Sequence, residues 1–334
     1  MNLSTSKRRR ARWVAAGIAL GISCIAPTHA SDVAAENYPN KPVRIIVPYP
    51  VGGFNDTLGR LAANKLGVRW KQPVIVENKP GAQTIIGTQA AATSKPDGYT
   101  LLVVQIPLST NLWLYKSLPY DTLKDFQPVI LAGKSPMMLL THANSEYKSL
   151  ADVLAAAKKN PGALNYGSSG PGSSQHLGMK LFERQSETSM NQVPYRGSTP
   201  LLTDLAGGQL DVAVDLLPHA LPFIESGKIR PLAMGTHQRS PLMPELPTAA
   251  ELGVQGYEVF GWHGFVVPAG TPADVVARIN HDLNEIFNEP DVQQMFYRQG
   301  VSPDGGTPEQ FEAFIKEQIA LWEPIIKENN ISAE

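Results

Sequence analysis

Two stretches of the chain carry the residue types that hold an anion without using a cation. The first, V-P-Y-P-V-G-G-F-N-D at 47–56, sets Gly52 and Gly53 where the backbone can turn sharply and approach a ligand. Asn55 and Asp56 follow, each able to cap a helix whose N-terminal amides would face the anion. No Lys or Arg occurs from Pro48 to Thr57, so backbone N–H groups and the helix dipole would do the holding. The second stretch, N-Y-G-S-S-G-P-G-S-S-Q-H at 165–176, offers the hydroxyls of Ser168, Ser169, Ser173 and Ser174, and amides left open by Gly167, Gly170 and Gly172. That chemistry suits carboxylate or phosphate oxygens. Either stretch alone also reads as a plain strand-to-helix turn; two with the same grammar carry more weight than one.

Catalytic signatures mostly miss by one residue. Gly167-Ser168-Ser169-Gly170-Pro171 lacks the last glycine of a nucleophile elbow, and Gly133-Lys134-Ser135 lacks the first glycine of a phosphate loop because Pro128 stands there. His142, His176, His219, His237, His263 and His281 show no metal-ligand spacing, and a lone histidine such as His176 is more often a cap or a packing residue. Asp215, at the end of an apolar run, reads equally as a site carboxylate or a cap.

These residues need elements to position them. The β-branched run at 43–47 predicts a buried strand before the first loop, and Leu58, Leu61, Ala62 and Leu66 recur at helical spacing up to Gly67, read as a C-cap. A strand at 74–76, a helix at 84–93, a turn at Pro96-Asp97-Gly98 and a strand at 100–104 follow. Alternation of strand and helix predicts a parallel sheet covered by helices. The pattern restarts after Asp125 with strands at 129–132 and 137–141 and a helix at 149–159, capped by Ser149 with Asp152 at N3. Helices at 176–185 and 199–206 and strands at 192–194, 212–216 and 230–234 complete a second unit, and helices fill the tail at 271–287, 291–299 and 308–329. Two α/β units joined by extended segments predict a ligand cleft between them.

The chain has 334 residues, 43 % of them hydrophobic, which matches roughly two domains. The formal charge of −1 conceals a division. Residues 1–30 hold five basic and no acidic residues, then an apolar run at 13–25 and Thr28-His29-Ala30, and read as a removed secretory signal. Thirteen apolar residues fall short of the ~20 needed to span a bilayer. Cys24 suits a lipid anchor poorly, because Gly21 stands where a leucine-like residue is wanted. The remainder keeps 24 basic against 30 acidic residues and no cysteine, a composition that disfavours nucleic acid as a partner and excludes disulfides and thiolate metal sites there.

Several segments together resemble the Bug family of periplasmic solute-binding proteins, the extracytoplasmic receptors of tripartite tricarboxylate transporters. They are Y-P-N-K-P-V-R-I-I-V-P-Y-P from Tyr38, G-G-F-N-D from Gly52, V-E-N-K-P-G-A from Val76 and K-P-D-G-Y-T-L-L from Lys95. G-S-S-G-P-G-S from Gly167, V-P-Y-R-G-S-T-P-L-L-T-D-L-A-G-G-Q-L-D from Val193, L-P-T-A-A-E-L-G from Leu246 and V-P-A-G-T-P from Val267 complete the series. The resemblance implies an α/β, two-lobed type II periplasmic-binding-protein fold. Its lobe I would comprise 31–134 with 258–334 and its lobe II 135–257, closing on a small carboxylate partly through ordered water. It nominates Tyr49, Gly52, Gly53, Phe54, Asn55 and Asp56 in the first loop and Ser168, Ser169, Gly172 and Ser173 in the second, with Gly81, Ala82, Gln83, Tyr195 and Asp215 in a second rank. Val51 and Phe54 depart from the family pattern; Phe54 either packs under the loop or forms a flat apolar wall.

The expectation is a monomeric, exported receptor without cofactor or metal that captures a mono- or dicarboxylate and presents it to inner-membrane permease subunits without turnover. A secreted hydrolase using Ser168 or Ser173 with His176 or Asp215, and a sensor subunit for a signalling partner, stand as alternatives. Phe54, with Trp113 and Trp262 placed nearby, would favour an aromatic or long-chain acid.

Overall fold

The computed structural model describes residues 38–334 together with Met1, so the signal read at 1–30 lies, Met1 apart, outside the described residues. Strand β1 (Val43–Val47) pairs in parallel with β2 (Val74–Asn78) on one side and β3 (Thr100–Val104) on the other. Helix α1 (Phe54–Trp70) connects the first two and α2 (Ile85–Ala92) the next two. Helix α1 does not end at Gly67. It runs on to Trp70 and stops at Lys71 in the left-handed region, because the Trp70 indole N–H donates to Asp282 Oδ2 at 2.6 Å and anchors the last turn.

The two strands read at 129–132 and 137–141 are one strand, β4 (Phe126–His142), preceded by helix α3 (Pro107–Leu114). Pro128 and Pro136 do not break β4; register shifts near Pro128 and Leu131 absorb the irregularity. Residues 126–136 of β4 pair with β9 (Phe260–Pro268), whereas 137–140 pair with β7 (Val212–Leu216) and 138–142 with β8 (Ile229–Met234). The sheet therefore changes partners between Pro136 and Met137. Beyond β7 lie β5 (Asn165–Ser168) and β6 (Asn191–Pro194), all parallel to one another, giving the order β2-β1-β3-β9-β4-β7-β5-β6. The short β10 (Ser302–Gly305) adds to β4.

Helix α4 (Leu150–Lys159) has the expected capping box, with Ser149 Oγ accepting from Asp152 N and Asp152 reaching back. Helices α5 (Ser174–Ser186), α6 (Ser198–Ala206) and α7 (Leu217–Glu225) follow β5, β6 and β7. The chain ends in α8 (Ala273–Phe287), α9 (Pro290–Arg298) and α10 (Pro308–Glu328), and α10 packs against α3, β4 and α5. One core joins β1, β3, β9, α8 and α9 through Ile45, Val103, Phe265, Ile279 and Phe296. Another gathers Leu201, Leu205, Ala213 and Leu217 beneath α6 and α7. The architecture is mixed α/β and two-lobed, with one partial sheet on each side of the β4 step. Among the described residues, no helix is long and apolar enough to cross a membrane.

Candidate functional site

Every parallel strand of the sheet ends in a segment holding a nominated residue or a residue that braces one, the position at which open α/β sheets bind ligands. After β1, helix α1 begins with Gly53 as N-cap and no side chain capping it. Asn55 and Asp56 are therefore not caps, as the sequence had suggested; they sit inside the first turn. Asp56 is buried and faces back into its own loop. Its Oδ2 accepts from Gly52 N at 3.0 Å and Arg60 Nε at 3.1 Å, and its Oδ1 from Asn78 Nδ2 at 2.8 Å. Burial would raise its pKa, but hydrogen bonds from Arg60, Asn78 and Gly52 outweigh it and hold the carboxyl below its usual range. Asn78 Nδ2 also lies 3.2 Å from Tyr49 O, so the end of β2 braces the loop after β1. The first-turn amides of α1 stay unclaimed by any side-chain cap.

Asn55 is buried, and its Oδ1 lies 2.8 Å from Nδ1 of His263 on β9. Phe54 stacks edge-on against the His263 ring, 4.4 Å between centroids, and against Phe296 at 5.4 Å. Trp113 and Trp262 are not its companions. Trp262 is spent against Phe311 and Phe314, and Trp113 lies under the Lys327 ammonium.

After β2, Gly81 has φ 129°, and Ala82, Gln83 and Thr84 lie in the left-handed region at φ 45°, 46° and 77°. Three successive non-glycine residues there are costly and need an outside brace. Asn111, fully buried on α3, supplies it by donating from Nδ2 to Gln83 O at 2.9 Å. Asn111 Oδ1 and the Tyr49 hydroxyl are buried polar atoms with no hydrogen-bond partner among the described residues. Burial, with the neighbouring Tyr120, raises the Tyr49 pKa.

In the second stretch, residues 165–168 are strand rather than loop, and the turn proper runs from Ser169 to Ser173. Ser168 is fully buried. Its Oγ accepts from Gly170 N at 3.3 Å and Gln192 Nε2 at 2.6 Å, and its carbonyl from Tyr195 N at 2.7 Å. Ser173 caps α5, accepting from His176 N at 3.3 Å, while Gly172 N donates to His176 Nδ1 at 3.2 Å. Burial, then Lys180, lowers the His176 pKa to about 4. Tyr195 Oη donates to Asp204 Oδ2 at 2.9 Å. Gly172, at φ 72°, leaves no room for a side chain, since a Cβ there would stand 2.5 Å from Leu114 Cδ1. Leu114 is one turn beyond Asn111, so α3 meets both the 81–84 segment and the second loop.

Asp215 is completely buried at the end of β7. Ser198 Oγ lies 3.0 Å from its Oδ1, Leu216 N 2.7 Å and His219 Nδ1 3.0 Å, with Gln175 Nε2 3.4 Å from Oδ2. The hydrogen bond to Asp215 raises the His219 pKa against the opposing effect of burial. A serine triad needs the imidazole between serine and carboxylate. Here the carboxylate is central, and both Ser198 and His219 address it. The His176 ring is likewise spent on Gly172 N, leaving Ser173 a helix cap.

Sequence reasoning missed Asn78, Gln105, Asn111, Leu114 and His263. Each is a single residue whose role arises only from partners far along the chain, apart from the strand-end position of Asn78 and Gln105, which could have drawn attention.

Residues 58–331 match the profile of the tripartite tricarboxylate transporter family receptors. The chain belongs to this family. It is 36 % identical to protein BugT of Bordetella pertussis over 92 % of this chain and 95 % of that one. Among solved structures, Rpa4515 of R. palustris with adipate shares 34 % identity, covers 89 % of this chain and 99 % of its own, and superposes with a TM-score of 0.77. MatC of Rhodopseudomonas palustris with bound malate gives 29 %, 86 %, 100 % and 0.73. This TctC-type chain is thus a solute-binding receptor by family, and its relatives include proteins solved with carboxylates.

Proposed function

We propose that this receptor works in the periplasm, where it captures a small organic carboxylate between the loops at 47–56 and 168–173 and delivers it to inner-membrane permease subunits of a tripartite tricarboxylate transporter. The observation that carries this reading is the pair of cation-free loops at the ends of parallel strands on either side of the β4 step. The uncapped N-terminus of α1 offers amides, the Tyr49 hydroxyl is an unclaimed buried donor, and Ser169 and Ser173 stand at the second loop. Neutral donors of this kind bind an oxyanion by geometry and dipole.

Lobe I comprises 31–134 and 258–334 and lobe II 135–257, in keeping with the change of strand partners between Pro136 and Met137. Closure of the lobes follows from tighter binding to the closed state. Tyr49, Gly52, Gly53, Ser169, Gly172 and Ser173 line the site; Phe54 flanks it; Asn55, Asp56, Ser168, Tyr195 and Asp215 hold the walls, and 81–83 form the rim. The ligand leaves unaltered, and the engaged states of His176, Ser173 and Ser198 support binding over hydrolysis. Adipate and malate in the related structures make linear dicarboxylates the first ligands to test.

A thermal-shift panel of mono- and dicarboxylates tests the reading. Ligand at a hundred times its Kd stabilises by about 2.7 kcal/mol, a shift of several degrees. Saturable stabilisation by at least one acid, with no consumption of it, is expected. No stabilisation by any acid, or turnover of an ester or amide panel, overturns the reading.

A further inference from the structure

His263 lies on β9, 2 % exposed, and both of its ring nitrogens are engaged. Nδ1 lies 2.8 Å from Asn55 Oδ1 and 2.9 Å from Gln105 Nε2, alternative partners because one nitrogen cannot donate to the first and accept from the second at once, and Nε2 lies 3.1 Å from Ser135 Oγ. The ring also carries Phe54 on its face. These partners come from different places. Asn55 and Phe54 open α1 in the first loop, Gln105 follows β3, and Ser135 is the penultimate β4 residue before its partners change from β9 to β7 and β8.

Strand alternation separates the two faces here. Ser135 and His263 point toward the loop, whereas Lys134 and Trp262 point to the opposite face, where Phe314 packs against both. A polar link from loop to strand step therefore runs through this imidazole. Burial lowers the His263 pKa to about 3, so the ring stays neutral and keeps one donor and one acceptor nitrogen.

We propose that His263 is a positioning residue that couples the first loop to the point where the sheet passes from one lobe to the other. Asn55 on one nitrogen and Ser135 on the other make a displacement of either felt by its counterpart. The proposal rests on the reading of 47–56 as the ligand loop, because only then does the coupling tie capture to lobe closure.

Hydrogen–deuterium exchange of the ligand-free protein, over the hydrogen-bonded amides of 57–60 that close the first turn of α1, tests it without any ligand. H263F removes both hydrogen-bonding ring nitrogens, and with them the contacts to Asn55, Gln105 and Ser135, and is expected to speed exchange there about tenfold. H263N is expected to slow it again toward wild type, since an asparagine amide reaches the Nδ1 position and not the Nε2 position. S135A, which does not touch the loop, is expected to speed the same amides in the wild-type background and to add nothing in H263F, a coupling readout that a merely structural role would not produce. Should H263F not fold, the S135A and N55A pair replaces it, with non-additive effects expected. Wild-type exchange in folded H263F, or additive effects in these cycles, overturns the proposal. Titration of adipate and malate in the same variants separates the two readings. Binding by the wild type with unchanged affinity and exchange in H263F defeats the positioning role alone. No binding by the wild type, with the loop loosened in H263F, defeats the ligand reading and leaves the loop-to-step coupling.

Discussion

Asn111 on α3 holds the carbonyl of Gln83 at 2.9 Å, the long-range hydrogen bond on a left-handed run of three non-glycine residues, Ala82, Gln83 and Thr84, whose outer carbonyls are held locally by Ile85 and Thr88. The strain is local and the brace comes from 28 residues away.

Asn111→Ala should therefore lower stability by about 0.5–1.5 kcal/mol, the usual net contribution of one hydrogen bond whose acceptor is open to water. It should also weaken carboxylate binding, because the rim relaxes. Denaturant melts and calorimetric titration measure the two effects separately. Unaltered affinity in a folded variant would mean that the 81–84 segment takes no part in the site.

Gly172→Ala places a Cβ 2.5 Å from Leu114 Cδ1 on a backbone with φ 72°. Strain of the left-handed position alone costs about 1–3 kcal/mol. A second change, Leu114→Ala, should recover the part due to the clash and none of the part due to φ. Leu114→Ala alone opens a cavity and costs about 2–5 kcal/mol, so the readout is the coupling in the double-mutant cycle, and additive losses would show that Gly172→Ala does not clash with Leu114.

The legible parts of the fold were those whose signal is local. The β-branched run 43–47, the strands at 100–104 and 212–216 and the Ser149 capping box needed no distant partner, and the structure places them as read. Helix α3 was missed because eight residues opening at a proline show little periodicity. Strand β9, F-G-W-H-G-F-V-V-P, is buried along its whole length, so it lacks the alternation that marks a half-exposed strand. Prolines divided β4 in the sequence, but its register shifts tolerate them. At the site, the two glycine-rich loops were visible, while Asn111 and His263 were not, because a lone polar residue in an apolar context acquires meaning only from what it faces.

The pH dependence of stability follows from two buried imidazoles. His176 and His263 have folded pKa values of about 4 and about 3, both below the ordinary 6.5. A depressed histidine contributes its stability in full above 6.5, and loses it as pH falls toward the folded value, because only the unfolded chain takes up the proton. Stability should drop by up to about 1.4 kcal/mol per pH unit for each ring between pH 6 and 4. His176→Gln should reduce that slope by about one proton. Chemical denaturation at a series of pH values gives the slope, and an equal slope in the variant would contradict the assignment.

Asp215 predicts a stability effect distinct from chemistry. Asp215→Ala removes the buried acceptor of Ser198 Oγ, Leu216 N, His219 Nδ1 and Gln175 Nε2 and should cost about 3 kcal/mol. Ser198→Ala, which removes one of the four donors, should cost less, about 1 kcal/mol. Equal losses in thermal melts would show that the carboxylate does not organise the cluster.

Capture by two loops at once is the centre of the account, and differential hydrogen–deuterium exchange with and without a saturating dicarboxylate, adipate and malate first, reads both together. Slowed exchange in 52–57 and in 168–174, in the same titration and with the same midpoint, is the predicted result. Protection confined to one loop, or lying elsewhere while the ligand binds, would contradict it.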